Sequence, residues 1–513
     1  MKGLTMNINE KEYLSKVRGC WMGKNIGGTV GAPFEWKRQI NNVSFYTQDL
    51  HGEPLPNDDL DIQLLWVIAM EERGIHINAR TLADYWCLYV APHWAEYGTA
   101  KINMRSGLLP PLSGTYQNVF KDSCGAFIRS EIWACIAPGC PSLAAGYAYQ
   151  DAILDHGNGE GTYAEVFTAT LESAAFIESD IRKLITIGLS YIPADCGTAK
   201  AVLTAIECFD SGKSWQETRD EILRRHGGAH FFGNPDCISA DDVKKGLNKG
   251  QLGYDVPSNI GILVLGLLYG GGDFDKTMCI TVNCGEDTDC TGATVGSIFG
   301  IIRGIEGIPQ RWIDPIGNSI KTMCLNLGDL SWLVPKDIDN LTHRTHKLAQ
   351  NVLRAHRSNC FLDPAKPSDY ASMDTMKLCA ADHGASIYGS MNPRFTFDFF
   401  AVEVNYGDAP TIKNNEPKQL TITIINRYRV QANLTLHWYL PKGWQITPAA
   451  DAALLSIHSP IGKPLVVQFS LQADNVDRSM NRAVLEITME GRPTVMHVPI
   501  ALLNGNVQPL ANA

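Results

Sequence analysis

The residue pattern changes once along this 513-residue chain, and that change restricts the fold more than any other feature. From Lys11 to about His356, apolar residues recur at helical spacing between turns marked by Gly and Pro. After about Pro393, seven short runs of β-forming residues follow one another, with turn residues between them. The pattern therefore predicts an all-α domain over residues 1–385, followed by an all-β, immunoglobulin-like sandwich over residues 394–513.

Composition narrows the class of protein and of partner. A hydrophobic fraction of 45% supports a substantial core, and a net charge of −10 without a Lys/Arg run argues against a broad nucleic-acid surface. No stretch reaches the ~18 apolar residues of a membrane span, and the N-terminus lacks the apolar segment of a secretory signal. The 14 cysteines include no C-x-x-C pair, so we expect reduced, mostly buried thiols. These features predict a cytoplasmic protein that acts on a small-molecule substrate, and they leave the oligomeric state open.

Two pairs of aspartates, far apart in the chain, each stand at the start of an apolar, helix-like run. Asp58 and Asp59 occur in PNDDLDIQLLW, and Asp287 and Asp289 occur in CGEDTDCTGATVG. One Asp at each helix start would be explained by capping of the first turn. A cap does not need the second carboxylate, so we expect the fold to bring the four together around divalent cations. Oxygen ligands without a set of His or Cys favour Mg²⁺, Ca²⁺ or Mn²⁺ over zinc.

The N-terminal segment carries glycines at helical spacing and ends on an acidic residue. Gly19, Gly23 and Gly27 lead through Gly31 into Ala-Pro-Phe and then Glu35. Such a stripe indicates close backbone packing followed by a turn. Glu35 either supplies a carboxylate to a pocket or is a solvated turn residue.

These segments, in this order and at these separations, resemble the motifs of the ADP-ribosylglycohydrolase family over roughly the first 350 residues. The resemblance implies an all-α fold that holds two Mg²⁺ ions, with Mn²⁺ as a substitute, and that hydrolyses the bond at C1″ of an ADP-ribosyl group. It implies that Asp58 and Asp59 form the first metal-binding pair, and that Asp287 and Asp289 form the second. Glu35 matches the carboxylate that some members use to transfer a proton.

The chain departs from the family pattern at positions beside the metals. Asn57 stands where a Thr is usual, and its amide oxygen can still coordinate a hard cation. Cys290 replaces the Thr after the second Asp, and a thiol is a poor Mg²⁺ ligand. That exchange weakens one metal site, alters its preference, or shifts the role to Thr291. Asp61 is either a hydrogen-bonding neighbour of the metal ligands or a solvated helix residue.

Two further segments resemble the family's substrate-binding motifs. Cys124, Gly125 and Ala126 match a glycine-rich turn along the bound nucleotide, whose backbone N–H groups can hold an oxyanion. Cys124 replaces an Asn of that motif. His156, in DHGNG, matches a segment near the same site, so the resemblance places it in the pocket, although a lone His is more often a satisfied structural group.

The resemblance predicts a metal-dependent glycoside hydrolase that cleaves the C1″ bond of an ADP-ribosylated substrate through binuclear Mg²⁺-assisted attack of water. Two alternatives stay open. The same site could serve another ribosyl or furanosyl glycoside, or the chain could be a non-catalytic ligand-binding protein. The sandwich is predicted to be accessory, because it carries no cluster of carboxylates.

Overall fold

The computed structural model describes residues 5–228, 233–427, 432–449, 455–457 and 464–506. The chain divides into two compact units. The helical unit comprises Met1–Gly98 and Asn118–Gly389, and the β unit comprises Thr99–Gln117 and Ser390–Ala513. Residues 1–4 and 507–513, which form the outer ends of the two predicted domains, lie outside the described residues.

Helices dominate the described part of the chain before residue 390. In chain order they are α1 (Glu10–Gly31), α2 (Asp58–Arg73), α3 (Ala79–Tyr89), α4 (Ala95–Arg105), α5 (Leu112–Thr115), α6 (Glu131–Ile136), α7 (Pro141–Ala152), α8 (Glu160–Ala175), α9 (Ile181–Leu189), α10 (Gly197–Asp210), α11 (Trp215–His226), α12 (Ala240–Lys244), α13 (Val256–Gly270), α14 (Phe274–Asn283), α15 (Thr288–Arg303), α16 (Gln310–Ile313) and α17 (Ile338–Ala355). Two short strands, β1 (Met6–Asn9) and β2 (Cys360–Asp363), pair in parallel within the helical unit. The predicted helical domain is confirmed, and these two short strands are a small departure from an all-α structure.

Helices α1 and α15 run antiparallel in backbone contact. A Cβ added at Gly23 would lie 2.0 Å from the carbonyl oxygen of Gly296, and one at Gly27 would lie 2.0 Å from that of Gly292. No side chain fits at such separations, so the glycine stripe of α1 is required by this contact. The antiparallel direction places the C-terminal end of α1 beside the N-terminal start of α15.

The described residues of the β unit form two five-stranded sheets. Its strands are β3 (Arg394–Thr396), β4 (Phe400–Asn405), β5 (Thr411–Ile412), β6 (Lys418–Asn426), β7 (Ala432–Tyr439), β8 (Trp444–Thr447), β9 (Leu455–Ile457), β10 (Leu465–Ala473), β11 (Met480–Met489) and β12 (Val495–Asn504). One sheet has the order β3-β4-β6-β10-β8, and the other has the order β5-β12-β11-β7-β9. All these pairings are antiparallel except the parallel pairing of β5 with β12.

Alternation of apolar residues explains how the two sheets form a core. Leu420, Ile422 and Ile424 of β6 are buried, as are Leu485 and Ile487 of β11, while the residues between them are more exposed. Alternate side chains therefore point to the same face of each strand, where they pack together. The predicted fold class, an all-α domain followed by an all-β sandwich, is confirmed.

Within the described ranges, no helix combines the length and the apolarity needed to cross a bilayer. The cytoplasmic location stays a prediction.

Candidate functional site

Three helix ends meet in the helical unit and carry the acidic residues. The end of α1 touches the start of α15, because Thr288 Oγ1 donates a hydrogen bond to the carbonyl oxygen of Gly31 at 2.8 Å. The start of α2 touches α1, since a Cβ at Gly28 would lie 1.8 Å from Nδ2 of Asn57. Glu35 follows a short 3₁₀ turn that continues α1. Glycines at these two contacts therefore set the positions of both aspartate pairs.

The carboxylates form two overlapping clusters. Ligand atoms of Asp59, Asp289 and Cys290 lie within 4.8 Å of one another, and so do those of Glu35, Asp287 and Asp289. Asp289 belongs to both clusters. The structure thus brings the two distant aspartate pairs to one place.

Helix capping does not account for these side chains. The cap of α2 is the side chain of Asn57, whose Oδ1 accepts a hydrogen bond from the Asp59 N–H at 2.8 Å. Asp287 is the N-cap residue of α15, yet its side chain makes no capping hydrogen bond. Capping was the alternative to metal binding, and it leaves the carboxylates of Asp59 and Asp287 unexplained.

Several buried oxygens in the cluster have no hydrogen-bond partner among the described residues. They are both carboxylate oxygens of Asp59 and one oxygen each of Asp287 and Asp289. Burying an ionised oxygen without a partner is costly, so such oxygens call for a proton or a cation. Hard, oxygen-preferring cations such as Mg²⁺ or Mn²⁺ fit this donor set, and the Cys290 thiol beside it is a soft donor.

Burial and mutual repulsion raise the pKa values in the cluster. Burial is the main cause of the raised pKa values of Asp59, Asp287 and Asp289, and neighbouring carboxylates raise each of them further. Burial and then the charge of Asp58 raise the pKa of Glu35 to about 7. Without cations the cluster therefore holds protons at neutral pH.

A cavity of about 300 Å³ opens onto the cluster. Most of the residues singled out from the sequence line it, namely Glu35, Asn57, Asp58, Cys124, Gly125, Asp287, Asp289 and Cys290. Asp59 does not line the cavity and is fully buried against Asp289 and Cys290. The Cys124 thiol donates to the carbonyl oxygen of Tyr254 at 3.4 Å, so this side chain is tied to the cavity wall.

Two residues expected in the pocket do not line it. Ala126 is fully buried, and so is His156. The His156 ring instead bonds on both sides, with Nδ1 2.9 Å from Oδ1 of Asp155 and Nε2 3.2 Å from Oγ of Ser123. His156 therefore does not line this cavity, and its neighbours satisfy both ring nitrogens.

The alternatives for Asp61 are resolved by its surroundings. This side chain is fully buried, and one of its oxygens accepts hydrogen bonds from the N–H groups of Met323 and Cys324 at 2.7 and 2.6 Å. Asp61 therefore fixes the segment that places Met323 in the cavity wall. It is not a solvated helix residue.

The sequence did not reveal several residues that shape the cavity. Glu96 and Tyr97 line it, and the Tyr97 hydroxyl donates to Oδ2 of Asp58 at 3.1 Å. Trp36 and Trp94 also line it, although 44% and 50% of their surfaces are exposed. The only hint in the sequence was an acidic residue among aromatic ones in HWAEYG, a combination too common to indicate a site.

Glu286, inside the second aspartate motif, has a structural role that the sequence did not indicate. Its buried carboxylate forms an ion pair with Arg38, and Nη2 of Arg38 lies 3.0 Å from Oε2. The Trp36 N–H donates to the carbonyl oxygen of Glu286 at 2.9 Å. Glu286 therefore fastens the segment after Glu35 to the start of α15.

The chain is similar to a known family and to two known proteins. The family model for ADP-ribosylglycohydrolase matches residues 9–352. An uncharacterized protein of Archaeoglobus fulgidus is 25% identical over 323 residues, which are 58% of this chain and 90% of that protein. A solved structure, a FixG-related protein from Vibrio parahaemolyticus, is 13% identical, with a TM-score of 0.17, over 21% of this chain and 99% of its own.

The matched range contains every residue that lines the cavity, from Ala32 to Met323. It covers more than half of the chain and ends before Ser390, where the C-terminal segment of the β unit begins. The chain therefore belongs to the ADP-ribosylglycohydrolase family of glycoside hydrolases.

Proposed function

We propose that this protein hydrolyses the C1″ bond of a ribosyl group with the help of divalent cations held by its two aspartate pairs. One observation carries the proposal: ligand atoms of Glu35, Asp287 and Asp289 converge within 4.8 Å at a cavity, and Asp59 joins the cluster through Asp289. Family membership supports the class of reaction. The two-ion count and the preference for Mg²⁺ or Mn²⁺ belong to the proposal.

The aspartates have the role of holding the cations. Asp58, Asp59, Asp287 and Asp289 offer carboxylate oxygens, and the partnerless oxygens among them are the most available. When bound, the cations supply positive charge that polarises water and the hydroxyl groups of the sugar. Tyr97 keeps one oxygen of Asp58 in place by its hydrogen bond, so the first pair is oriented in advance.

Glu35 has the role of moving a proton. Its Oε1 accepts a hydrogen bond from the indole N–H of Trp36, which orients the carboxylate towards the cavity that both residues line. Without cations the pKa of Glu35 is about 7, which is close to neutral pH. Positive charge beside Glu35 would lower this pKa and so favour the ionised carboxylate. An ionised Glu35 can take a proton from the water that attacks C1″, while the bond from C1″ to the leaving group breaks through an oxocarbenium-like state. The same proton can then pass from Glu35 to the leaving group.

An ADP-ribosyl group is the substrate that the resemblance implies, and it is the first to test. A second candidate, another ribosyl or furanosyl glycoside, is favoured by the cavity wall, because no Lys, Arg or His of the described residues lines it. A non-catalytic binding protein would not need Glu35 beside buried aspartate oxygens that lack a hydrogen-bond partner among the described residues, so we set that alternative third.

Two substitutions test the proposal by separating cation binding from proton transfer. Asp289→Asn should abolish binding of Mn²⁺ in calorimetric titration and, with it, turnover of ADP-ribosylated peptides and aryl ribofuranosides. Glu35→Gln should keep Mn²⁺ binding and lower turnover by about 10²–10⁴-fold, the usual contribution of a general base. Asp195→Asn, an exposed change of the same kind, is the control. Full turnover by Glu35→Gln would contradict the role of Glu35, and full Mn²⁺ binding by Asp289→Asn would contradict the metal site.

A further inference from the structure

The outer face of the sheet β5-β12-β11-β7-β9 carries a glutamate with one histidine on each side. Glu486 of β11 is paired in register with His497 of β12 and, on its other side, with His437 of β7. The residues before and after each of the three are buried in the core of the β unit, so the three side chains share the opposite face. Cβ atoms directly opposite each other on one face lie about 4.5–5.5 Å apart, so the three residues of this row are immediate neighbours.

Two donors of the row already lie as far apart as two ligands of one metal ion. Nε2 of His497 is 3.2 Å from Oε2 of Glu486. Two ligand atoms about 2.0–2.1 Å from a tetrahedral ion are separated by roughly 3.4 Å, so little movement would be needed to bind one. The Tyr439 hydroxyl donates a hydrogen bond to the same carboxylate oxygen at 3.3 Å. Hydrogen bonds of this kind commonly orient the carboxylate ligands of metals.

The third donor, His437, lies on the other side of Glu486. In this structure its ring packs edge-on against the ring of Tyr439, with the centroids 4.5 Å apart and an interplanar angle of 76°. The His437 side chain is only half-buried, so it has room to adopt another rotamer. Because its Cβ is a direct neighbour of the Cβ of Glu486, rotation about the side-chain bonds would bring a ring nitrogen beside the glutamate. The register thus supplies a third ligand for the same ion.

A simple ion pair does not account for the whole row. A pair between His497 and Glu486 needs only one histidine, and surface pairs of this kind add little to stability. The rows on either side bring no Lys or Arg to Glu486, because they consist of Thr435, Thr488 and Val495 on one side and Tyr439, Val484 and Pro499 on the other. Two imidazoles with one carboxylate are the donor set of Zn²⁺ and related transition metals. This set differs from the oxygen-rich clusters of the helical unit.

From these observations we propose that His437, Glu486 and His497 bind a transition-metal ion, with Zn²⁺ as the first ion to test, on the outer face of the β unit. This site goes beyond the proposed hydrolase function and does not depend on it, because the clustered aspartates belong to the helical unit. Three protein ligands leave the fourth position of a tetrahedral ion for water or another ligand. The row is open to solvent, since 59% of the His497 side chain is exposed.

Calorimetric titration of the full-length protein with Zn²⁺ tests the site. Saturating Mg²⁺ is present throughout, so that it competes for the oxygen-rich clusters. We expect His437→Gln and His497→Gln each to remove one Zn²⁺ ion from the stoichiometry, or to weaken its binding at least about tenfold, because even the loss of a partner behind a metal ligand costs about 10–100-fold. Unchanged Zn²⁺ binding in either variant would overturn the three-ligand site, and so would the absence of Zn²⁺ binding by the wild-type protein.

His51→Gln is the matched control, because Nε2 of His51 lies 3.4 Å from Oδ2 of Asp49 in a segment that is not part of a sheet. This variant should bind Zn²⁺ as the wild-type protein does, and a loss equal to that of the other two variants would overturn the assignment.

Anomalous scattering at the zinc absorption edge, from Zn²⁺-soaked crystals of the wild-type protein, is a second measurement that does not depend on how the variants fold. We expect a peak about 2.0–2.1 Å from a ring nitrogen of both His437 and His497. A peak bonded to His497 and Glu486 but not to His437 would overturn the proposal, as would the absence of a peak at the row.

Discussion

At the scale of single residues, the site depends on which side chain performs the capping. Asn57 caps α2 with its amide oxygen, and this leaves the carboxylates of Asp58 and Asp59 for other partners. Asp58 bonds to Tyr97, while Asp59 has no hydrogen-bond partner for either oxygen among the described residues. Because Asn57 caps the helix, neither aspartate of the pair is needed as the capping residue.

Cys290 is the residue with the clearest expected effect on metal preference. Its thiol lies within 4.8 Å of ligand oxygens of Asp59 and Asp289, where a hydroxyl group would be a harder donor. Cys290→Thr should tighten Mg²⁺ binding about tenfold, equivalent to about 1.4 kcal/mol, and weaken binding of the softer Cd²⁺. Calorimetric titration with both ions measures the change.

Cys279→Thr makes the same exchange outside the cavity wall and should alter neither affinity. If Cys290→Thr bound Mg²⁺ with unchanged or lower affinity, the side chain at position 290 would not contribute to the metal site.

At the scale of secondary-structure elements, the contact between α1 and α15 positions the site. Gly23 and Gly27 face Gly296 and Gly292 at distances that admit no Cβ. The contact extends to Gly31, where a Cβ would lie 2.2 Å from the carbonyl oxygen of Thr288. The distance between the two aspartate pairs is therefore set partly by how closely two helix backbones approach.

Gly23→Ala should destabilise the protein because its Cβ would overlap the Gly296 carbonyl oxygen at 2.0 Å. We expect the free energy of unfolding to fall by about 3 kcal/mol, at the upper end of the usual cost of overpacking. Gly146→Ala in α7 is the matched control, since nothing lies within 4 Å of its added Cβ. That change should be neutral or stabilise by up to about 1 kcal/mol. Urea unfolding measures the free energy of unfolding of both variants. Equal values for the two variants would show that α1 and α15 can move apart without loss of stability.

At the scale of the whole molecule, buried acids make the stability of the metal-free protein depend on pH. Burial raises the pKa values of Glu35, Asp61 and Asp255 to about 7. Their ordinary values are 4.5, 3.8 and 3.8, so between these values and about 7 the folded state binds more protons than the unfolded state. The free energy of unfolding that these groups contribute therefore falls as pH rises through that window.

Thermal melts in chelator between pH 6.5 and 8 should show this fall. The lower limit avoids half-buried histidines, such as His226 and His346, because burial lowers their pKa values and this acts in the opposite direction below their ordinary value of 6.5. We expect Tm to decrease with pH in chelator, and to decrease less with saturating Mn²⁺, because cations favour the ionised carboxylates. A Tm that rises over this range in chelator would contradict the prediction.

The β unit includes a segment from the first part of the chain, which affects any truncation. Residues 99–117 belong to it, and Leu109 and Leu112 pack against its apolar core. A truncated protein ending at Met391 should keep Mn²⁺ binding, because the clustered carboxylates all lie in the helical unit. It should be less soluble than the full chain, since it exposes these two leucines.

Adding Leu109→Ser and Leu112→Ser to the truncated protein should recover part of the lost solubility. The soluble fraction and calorimetric Mn²⁺ binding are the measurements. A folded, soluble truncated protein that binds no Mn²⁺ would show that the β unit is needed for the site.

The sequence by itself determined the features that depend on neighbours along the chain. Helical spacing from Lys11 to about His356 and alternation after about Pro393 are local patterns, so they predicted the fold class correctly. The excess acidic residues in PNDDLDIQ and CGEDTDC marked the carboxylates that meet in the structure, because their number exceeded what capping needs. Close packing of the N-terminal glycines was also readable from their spacing.

Only the tertiary structure decided which other residues lie beside the clustered carboxylates. Glu96 and Trp94 line the cavity. His156, which lies in a segment that resembles a family motif, instead bonds to Asp155 and Ser123 and does not line it. The grouping of residues 99–117 with the β unit likewise has no local pattern. The physical reason is that burial, hydrogen-bond satisfaction and charge repulsion depend on neighbours distant in the chain, and a sequence records only the near ones.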